Sequence, residues 1–154
     1  MQTAATAVFR LALAFWVGGA AQFTFVLTPI LFRTQPRDLA AQIVGVLFPG
    51  YFWWGLASGT VALACLLILR GRSFLPALTL LVLMLGLTSY QAFSIEPRAA
   101  ALKQEIVSFE TTSKDDPLRR EFSRLHGISM ACNLAVLLSG IVLIILPGRF
   151  RQRG

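Results

Sequence analysis

The sequence predicts an all-α membrane protein: a four-transmembrane-helix antiparallel bundle with a helical hairpin extension between helices 3 and 4. Two observations lead to this prediction. Hydrophobic residues make up 56% of the 154 residues and charged residues only 14%, whereas a soluble domain carries about 25% charged residues. The apolar residues are also gathered into four long runs, each sufficient to cross the roughly 30 Å of hydrocarbon in a bilayer.

The four apolar runs define the predicted membrane spans. At 1.5 Å per residue, about 20 residues cross the hydrocarbon layer. The runs cover 11–32, 47–69, 73–95 and 127–146, and charged residues flank each of them. The first run is too long for a cleavable signal peptide and has almost no basic leader, so we expect it to remain as a helix. Residues 1–154 should therefore form a single transmembrane domain.

The connections on either side of the second span are short. Arg70-Gly71-Arg72 allows only a tight turn, so the second and third spans should form an antiparallel hairpin. Before the second span, residues 36–46 should form a short interfacial helix. Pro36 suits the first turn of such a helix, and apolar residues recur on one of its faces.

The polar connection between the third and fourth spans should contain two more helices. Pro97 is expected to kink the third helix or to begin a new one over 97–112. Asp115-Asp116-Pro117 is typical of a helix start and predicts a helix over 117–126 that continues into the fourth span. The third and fourth helices would then project beyond the bilayer as a helical hairpin.

The distribution of basic residues predicts the orientation in the membrane. Four spans place both termini on one side, together with the turn between the second and third spans. The basic residues of that side are Arg10, Arg70, Arg72, Arg149, Arg151 and Arg153, without any acidic residue. The other side holds more Lys and Arg, but most of them lie in the long mixed-charge connection. We therefore predict a multi-pass protein of the cell (plasma) membrane with cytoplasmic termini.

The strongly basic composition does not indicate nucleic-acid binding. The formal net charge is +7 and the pI is about 10.8, values that also occur in domains that bind phosphates. Here the basic residues lie between or beyond the apolar runs, where membrane proteins hold them against lipid headgroups. Membrane lipid is thus a predicted partner, and nucleic acid is not.

Proline-bearing and polar segments should meet at one end of the bundle. Because helix direction alternates, the ends of the first and third helices face the same side as the beginnings of the second and fourth. The predicted binding residues are Gln22, Pro29, Pro49, Tyr51, Glu96, Arg98, Arg124, His126 and Asn133. Proline leaves backbone carbonyls unpaired, and polar side chains in lipid need partners. We therefore expect a pocket on the side opposite the termini.

The charged members of this set also have structural interpretations. His126 could change protonation near neutral pH or bind a metal, but it could equally form a hydrogen bond across the bundle, for instance to Glu96. One histidine without converging ligands is a poor metal site. Glu96 could instead form an ion pair with Arg98 or Arg124 that fixes the hairpin. The sequence leaves these alternatives open.

Small residues in the first and second spans predict close contacts between helices, above all a pair four positions apart. Gly55 and Gly59 form such a pair in the second span, and Gly18 and Gly19 could serve the first helix in the same way. In lipid, small residues let two backbones approach closely. We expect this packing within the bundle. The alternative is a contact between two copies of the chain in a homo-oligomer.

The sequence contains no complete catalytic or cofactor motif. It has one histidine, so a single chain cannot hold haem iron between two imidazoles. Cys65 and Cys132 lie in apolar runs without metal-finger or redox spacing. No phosphate loop, HExxH motif or Ser/His/Asp order is found. We therefore predict that the protein is not an enzyme and holds no cofactor or metal.

A series of short motifs runs in order along nearly the whole chain. They are Leu47-Phe48-Pro49-Gly50-Tyr51-Phe52, Glu96-Pro97-Arg98, Asp116-Pro117, Arg120-Glu121-Phe122, His126-Gly127-Ile128-Ser129 and Asn133-Leu134. Trp16-Val17-Gly18 and Leu31-Phe32-Arg33 match more loosely. Together they resemble the transmembrane protein 205-like family of small four-helix membrane proteins, a family of unknown function. The resemblance implies a topology and a functional face, but no reaction.

Two functions fit this interpretation. The first is transport of an ion or small solute through the polar face near His126 and Glu96, by an oligomer, because four helices are few for a complete pathway. The second is a non-transporting scaffold or assembly factor whose residues 99–125 bind a partner protein. A membrane enzyme or electron carrier has the least support. We favour transport, because the polar and proline-bearing positions converge more than a purely structural bundle requires.

Overall fold

A computed structural model describes residues 2–69, 71 and 73–145, and within these ranges the chain forms helices and no strands. The elements are α1 (Gln2–Gln22), π1 (Phe23–Leu27), α2 (Thr28–Thr34), α3 (Arg37–Ile68), α4 (Phe74–Tyr90), π2 (Gln91–Ile95), α5 (Glu96–Glu105) and α6 (Pro117–Ile145). The segments π1 and π2 are single turns of π-helix. The all-α prediction is therefore confirmed for the described residues.

These elements combine into four continuous helical segments that are long and apolar enough to cross a membrane. They are Gln2–Thr34, Arg37–Ile68, Phe74–Glu105 and Pro117–Ile145, here called the first to fourth membrane helices. Their outward faces carry large apolar side chains, such as Trp53. Lipid is the favourable solvent for such faces, whereas in water they would be an aggregation liability. The chain is thus a membrane protein with four apolar helices, as predicted.

Several element boundaries differ from the expectation. Residues 36–46 do not form a separate helix, because α3 continues from Arg37 through Pro49 to Ile68. Residues 117–126 are likewise the beginning of α6. The helix expected over 97–112 ends earlier, at Glu105. Ile106 still donates its N–H to the Leu102 carbonyl but has an extended backbone, and the Phe109 and Glu110 N–H groups that follow bond to side chains instead of to helical carbonyls.

Part of the predicted turn and of the fourth span lies outside the described residues. In the turn between α3 and α4, the Gly71 carbonyl accepts a hydrogen bond of 3.0 Å from the Phe74 N–H. Arg70, Arg72 and the residues from Leu146 onward, including the C-terminal arginines, are not among the described residues.

The core lies where the four membrane helices meet. The first and third membrane helices each contact both the second and the fourth. The largest fully buried side chains come from all four: Leu13, Leu66, Leu81, Met84 and Val136. Such interdigitated apolar side chains hold the helices together by close contact, because lipid provides little hydrophobic driving force between helices.

Glycines allow the second membrane helix to approach the first. Gly55 and Gly59 are buried against the indole of Trp16. A Cβ at Gly55 would lie 2.8 Å from Trp16 Nε1, and a Cβ at Gly59 would overlap the same ring and lie 2.6 Å from Cδ2 of Leu85. The glycine pair therefore packs inside the bundle. Gly18, in contrast, is exposed, with no atom within 4 Å of where its Cβ would be.

Candidate functional site

A hydrogen-bonded cluster of polar side chains joins three of the membrane helices. Nδ2 of Asn133, on α6, donates to the Thr24 hydroxyl at 2.6 Å. Its Oδ1 accepts from the Tyr51 hydroxyl of α3 at 2.5 Å. The ring of Phe23 stacks on Tyr51 with centroids 4.7 Å apart. A single carboxamide, with both a donor and an acceptor, thus links two other helices. We call Thr24, Tyr51 and Asn133 the polar junction.

A second polar contact lies one helical turn away. Ser129 precedes Asn133 by one turn of α6, about 6 Å along its axis. The Ser129 hydroxyl donates to Oε1 of Gln91 at 3.0 Å. Gln91 is only 2% exposed and begins π2. With this contact, polar side chains from all four membrane helices lie at neighbouring levels.

A third polar contact lies further toward the beginning of α3. The Lys103 ammonium of α5 donates to the Ala41 carbonyl at 2.5 Å. The Lys103 side chain lies against Gly45, where an added Cβ would be 2.8 Å from Lys103 Nζ. The Glu96 carboxylate is close enough for its charge to interact with that of Lys103. Pro49 cannot supply the N–H that an α-helix directs at the Gly45 carbonyl.

The two π turns occupy corresponding places in the first and third membrane helices. Each ends directly before a residue pair with proline, Thr28-Pro29 after π1 and Glu96-Pro97 after π2. The Thr28 N–H bonds the Phe23 carbonyl, and the Glu96 N–H bonds the Gln91 carbonyl. This wider spacing adapts the helix to a proline that cannot donate. Such π turns are frequent at functional sites, and here they present Thr24 and Gln91.

The connection between α5 and α6 is fastened to the first turn of α3. The Asp38 carboxylate accepts from the Ser108 hydroxyl at 2.6 Å and from the Phe109 N–H at 2.7 Å. In return, the Arg37 N–H donates to Glu110 at 3.0 Å. We call Asp38, Ser108 and Phe109 the clasp. It holds the connection over the end of the bundle where α3 begins.

The clasp favours the ionised form of Asp38, which lies well before the apolar run that begins at Leu47. The Ser108 hydroxyl and then the Phe109 N–H lower the pKa of Asp38 from its ordinary value of 3.8. The Arg119 guanidinium adds a smaller effect through its charge. Arg119 is itself held in place by a hydrogen bond to the Thr112 carbonyl. The charges near the beginning of α3 are therefore organised by side-chain hydrogen bonds.

Comparison with known proteins places the chain in a family. A family model described as "Domain of unknown function (DUF4149)" matches residues 11–108. The chain belongs to the DUF4149 family. A protein of Aquifex aeolicus described as "Uncharacterized protein" is 32% identical over 136 residues, which cover 87% of this chain and 91% of that protein. No solved structure matches the chain. The DUF4149 match contains Thr24, Tyr51, Gln91 and Lys103 and ends before Ser129.

The structure brings together only two of the predicted binding residues in the polar junction. Tyr51 and Asn133 meet there, but the first helix contributes Thr24 instead of Gln22. Gln22 is exposed on α1, and its side chain forms no hydrogen bond within the described part of the chain. Both residues are polar positions in the same apolar run. Only the rotation of α1 against its neighbours decides which of them faces inward.

The expected ion pairs of Glu96 do not form. Arg124 pairs with Glu121 one turn earlier in α6, with an N–O distance of 2.8 Å. Arg98 interacts with Glu121 through its charge. Arg98 follows Glu96 by two residues, and side chains at that spacing point to different sides of a helix. Glu96 instead interacts with Lys103, seven residues along and on the same face.

His126 and the remaining predicted prolines lie outside the polar junction. His126 is exposed and stacks on Phe122 with centroids 6.3 Å apart, and no hydrogen bond joins it to Glu96. Pro29 is the second residue of α2, directly after Thr28, the residue that follows π1. Pro49 lies exposed within α3, near the Lys103 contact.

Some residues of the site were not predicted. Thr24 and Gln91 carry a visible signal, since each is a polar side chain inside an apolar run, and Ser129 shares a helix face with Asn133. Lys103 carries none, because its contact with Ala41 depends on how α5 packs on α3. Within the described ranges no group of three or more His, Cys, Asp or Glu side chains comes together. The candidate site thus consists of hydrogen-bonding polar side chains and the positive charge of Lys103.

Proposed function

We propose that this DUF4149 protein transports an ion or small polar solute along its internal polar side chains. The observation that carries the proposal is the linkage of all four membrane helices by the polar junction and the Gln91–Ser129 contact, with Lys103 at the end. Polar groups within a bilayer are costly and commonly mark substrate or ion pathways. We call these residues the polar track. We assign transport, not a chemical reaction, to the chain.

The proposal includes a topology. The four helices would cross the membrane as an antiparallel bundle, with α5 and the beginning of α6 projecting as a hairpin and with cytoplasmic termini. In support, Tyr51 and Asn133 lie 14 and 16 residues after the beginnings of α3 and α6, and Thr24 lies 10 residues before the end of its helical segment. We also propose that the functional face corresponds to that of the transmembrane protein 205-like family, which the motifs resemble.

A solute would move by replacing internal hydrogen bonds. Among the described residues, no buried side-chain nitrogen or oxygen lacks a partner. The polar junction is therefore closed, and a passing solute must take over the bonds of Asn133 to Tyr51 and Thr24. At the end of the polar track, the Lys103 ammonium bonds the Ala41 carbonyl and interacts with the charge of Glu96. There it acts as a tethered cation that an incoming cation can displace.

The test is a flux assay on the full chain in liposomes. Four probes cover the classes that the polar track could accept: protons, Na⁺, K⁺ and glycerol. Asn133→Leu and Tyr51→Phe should lower the flux of the transported probe at least about tenfold. That decrease corresponds to a free-energy barrier about 1.4 kcal/mol higher. Thr60→Val is the matched control, because the Thr60 hydroxyl is exposed and bonds only the Leu56 carbonyl of its own helix.

Two outcomes would overturn transport. One is that the wild-type protein moves none of the four probes faster than empty liposomes do. The other is that Asn133→Leu and Thr60→Val have equal flux. Circular dichroism and gel filtration of each variant establish that it is folded before its flux is compared.

A scaffold function is the second candidate. It is favoured by the charged surface of the projecting part, where Arg98, Arg120 and Arg124 are exposed while the clasp fixes the connection. Charged side chains on a rigid surface suit a protein partner better than a solute. Charge reversal at Arg98 and Arg120 separates the candidates, because it would abolish capture of a partner and leave the flux unchanged.

A further inference from the structure

The outward-facing amide of Gln22 has no partner in the described chain. Three carboxamide side chains lie within the apolar runs: Gln22, Gln91 and Asn133. Gln91 and Asn133 bond to side chains of neighbouring helices. Gln22 is exposed on α1, and none of the described residues forms a hydrogen bond with its side chain.

The depth of Gln22 makes this exposure costly. It lies near the middle of the predicted span over 11–32, about 15 Å from either end at the rise of an α-helix. A glutamine side chain is too short to reach the headgroups from there. Lipid offers no hydrogen bond, so the unpaired amide requires a partner within the membrane.

The same face of α1 is open to a second helix. Leu11, Ala14, Gly18 and Gln22 recur at three- and four-residue spacing, and all four are exposed. No atom lies within 4 Å of where a Cβ of Gly18 would be. The small residues on this face would let the backbone of another helix approach closely enough for a side chain of that helix to reach the Gln22 amide.

We propose that this face of α1 binds the same face of a second copy of the chain, with the two Gln22 amides hydrogen-bonded to each other. A carboxamide both donates and accepts, so two of them related by a twofold axis complement each other. Symmetry also places the second amide at the same depth, which an unrelated partner would have to match separately. The dimer is independent of the transport proposal, since no residue of the polar track takes part.

Disulfide cross-linking tests the dimer in the full chain, reconstituted in liposomes at low protein-to-lipid ratio. In a background with Cys65→Ala and Cys132→Ala, Gly18→Cys should form a dimer on oxidation. Gly86→Cys is the matched control, because Gly86 is also an exposed helical glycine with nothing within 4 Å of its Cβ position. Cross-linking at residue 18 but not at residue 86 supports the proposal. Equal cross-linking at both, or none at residue 18, overturns it.

A second measurement follows association without cysteine. Förster transfer between labelled copies, diluted with lipid, gives the dissociation constant. Gln22→Leu should weaken association about five- to thirtyfold, as expected for loss of an interhelical hydrogen bond in a membrane. Thr79→Val is the control, because Thr79 is exposed and bonds its own helix. Unchanged association in a folded Gln22→Leu protein, or a wild-type chain that is monomeric at every dilution, overturns the proposal.

Discussion

At the scale of single residues, hydrogen-bonding capacity explains why particular side chains hold particular places. Asn133 joins Thr24 and Tyr51 because a carboxamide has a donor and an acceptor at one point. Asp38 holds Ser108 and Phe109 because an ionised carboxylate accepts several bonds at once. Each of these two side chains therefore connects segments that are far apart in sequence. Their substitution should affect contacts between segments more than the helices themselves.

The clasp should depend on pH. Because hydrogen bonding lowers the pKa of Asp38 in the folded protein, its stabilising effect is full above the unfolded value near 3.8 and is lost as the pH falls through the lower folded value. Hydrogen exchange should show the Phe109 amide protected at neutral pH and released only below about pH 4. At neutral pH, Asp38→Asn should raise the exchange of the Phe109 amide, whereas Asp115→Asn should not. A release that begins near pH 6 would contradict this assignment.

At the scale of elements, close contacts decide which helices can approach. The second membrane helix packs on the first because Gly55 and Gly59 leave room for the indole of Trp16. In the same way, Gly140 of the fourth helix leaves room for Val17. The π turns before Thr28-Pro29 and Glu96-Pro97 adapt the first and third helices to proline without ending them. The close helix contacts and the π turns together place the polar side chains of different helices at similar positions along the bundle.

Alanine substitution of two glycines should have different effects. Gly59→Ala should lower the free energy of unfolding by about 1–3 kcal/mol, because the new methyl group overlaps Trp16 and Leu85. Gly86→Ala should be neutral or stabilise by up to about 1 kcal/mol, because it meets no atom and favours the helix. Unfolding in mixed micelles, followed by circular dichroism, measures both. Equal effects would mean that the two glycines have similar surroundings in the membrane.

At the scale of the whole molecule, four apolar helices enclose a small polar interior and expose apolar side chains to lipid. The polar junction lies near the middle of α3 and α6. The Lys103 contact lies near the beginning of α3, at the end of the bundle where the clasp fastens the connection. On the proposed topology, this end lies on the side of the membrane opposite the termini. The transport and dimer proposals use different faces of this molecule, one inside the bundle and one on α1.

Labelling from one side of the membrane tests that topology. Val107 is 97% exposed in the connection, and Thr3 is exposed near the beginning of α1. In a cysteine-free background, Val107→Cys should react with an impermeant maleimide on intact cells, and Thr3→Cys only after the membrane is opened. Reaction of both from the same side would rule out the odd number of crossings that the proposed topology places between them, and with it the proposed orientation of the connection.

The sequence predicted two of the three residues of the polar junction, but not the third. Tyr51 and Asn133 were identifiable because polar side chains in apolar runs are few, and these two do meet. Gln22 was chosen by the same criterion and faces outward, with Thr24 in its place. Glu96 was expected beside Arg98 or Arg124, yet it lies near Lys103. The composition of a helix is visible in sequence, but its rotation is set by its neighbours.

The four membrane helices were determined by the sequence itself, because the number of consecutive apolar residues needed to cross a bilayer is a local property of the chain. The tertiary structure decided which face of each helix turns inward, since that depends on fits such as Trp16 against Gly59. It also decided where α5 ends, because the connection that follows is held by Asp38 on another helix. Contacts between distant segments carry no local pattern, so only the packed molecule could reveal them.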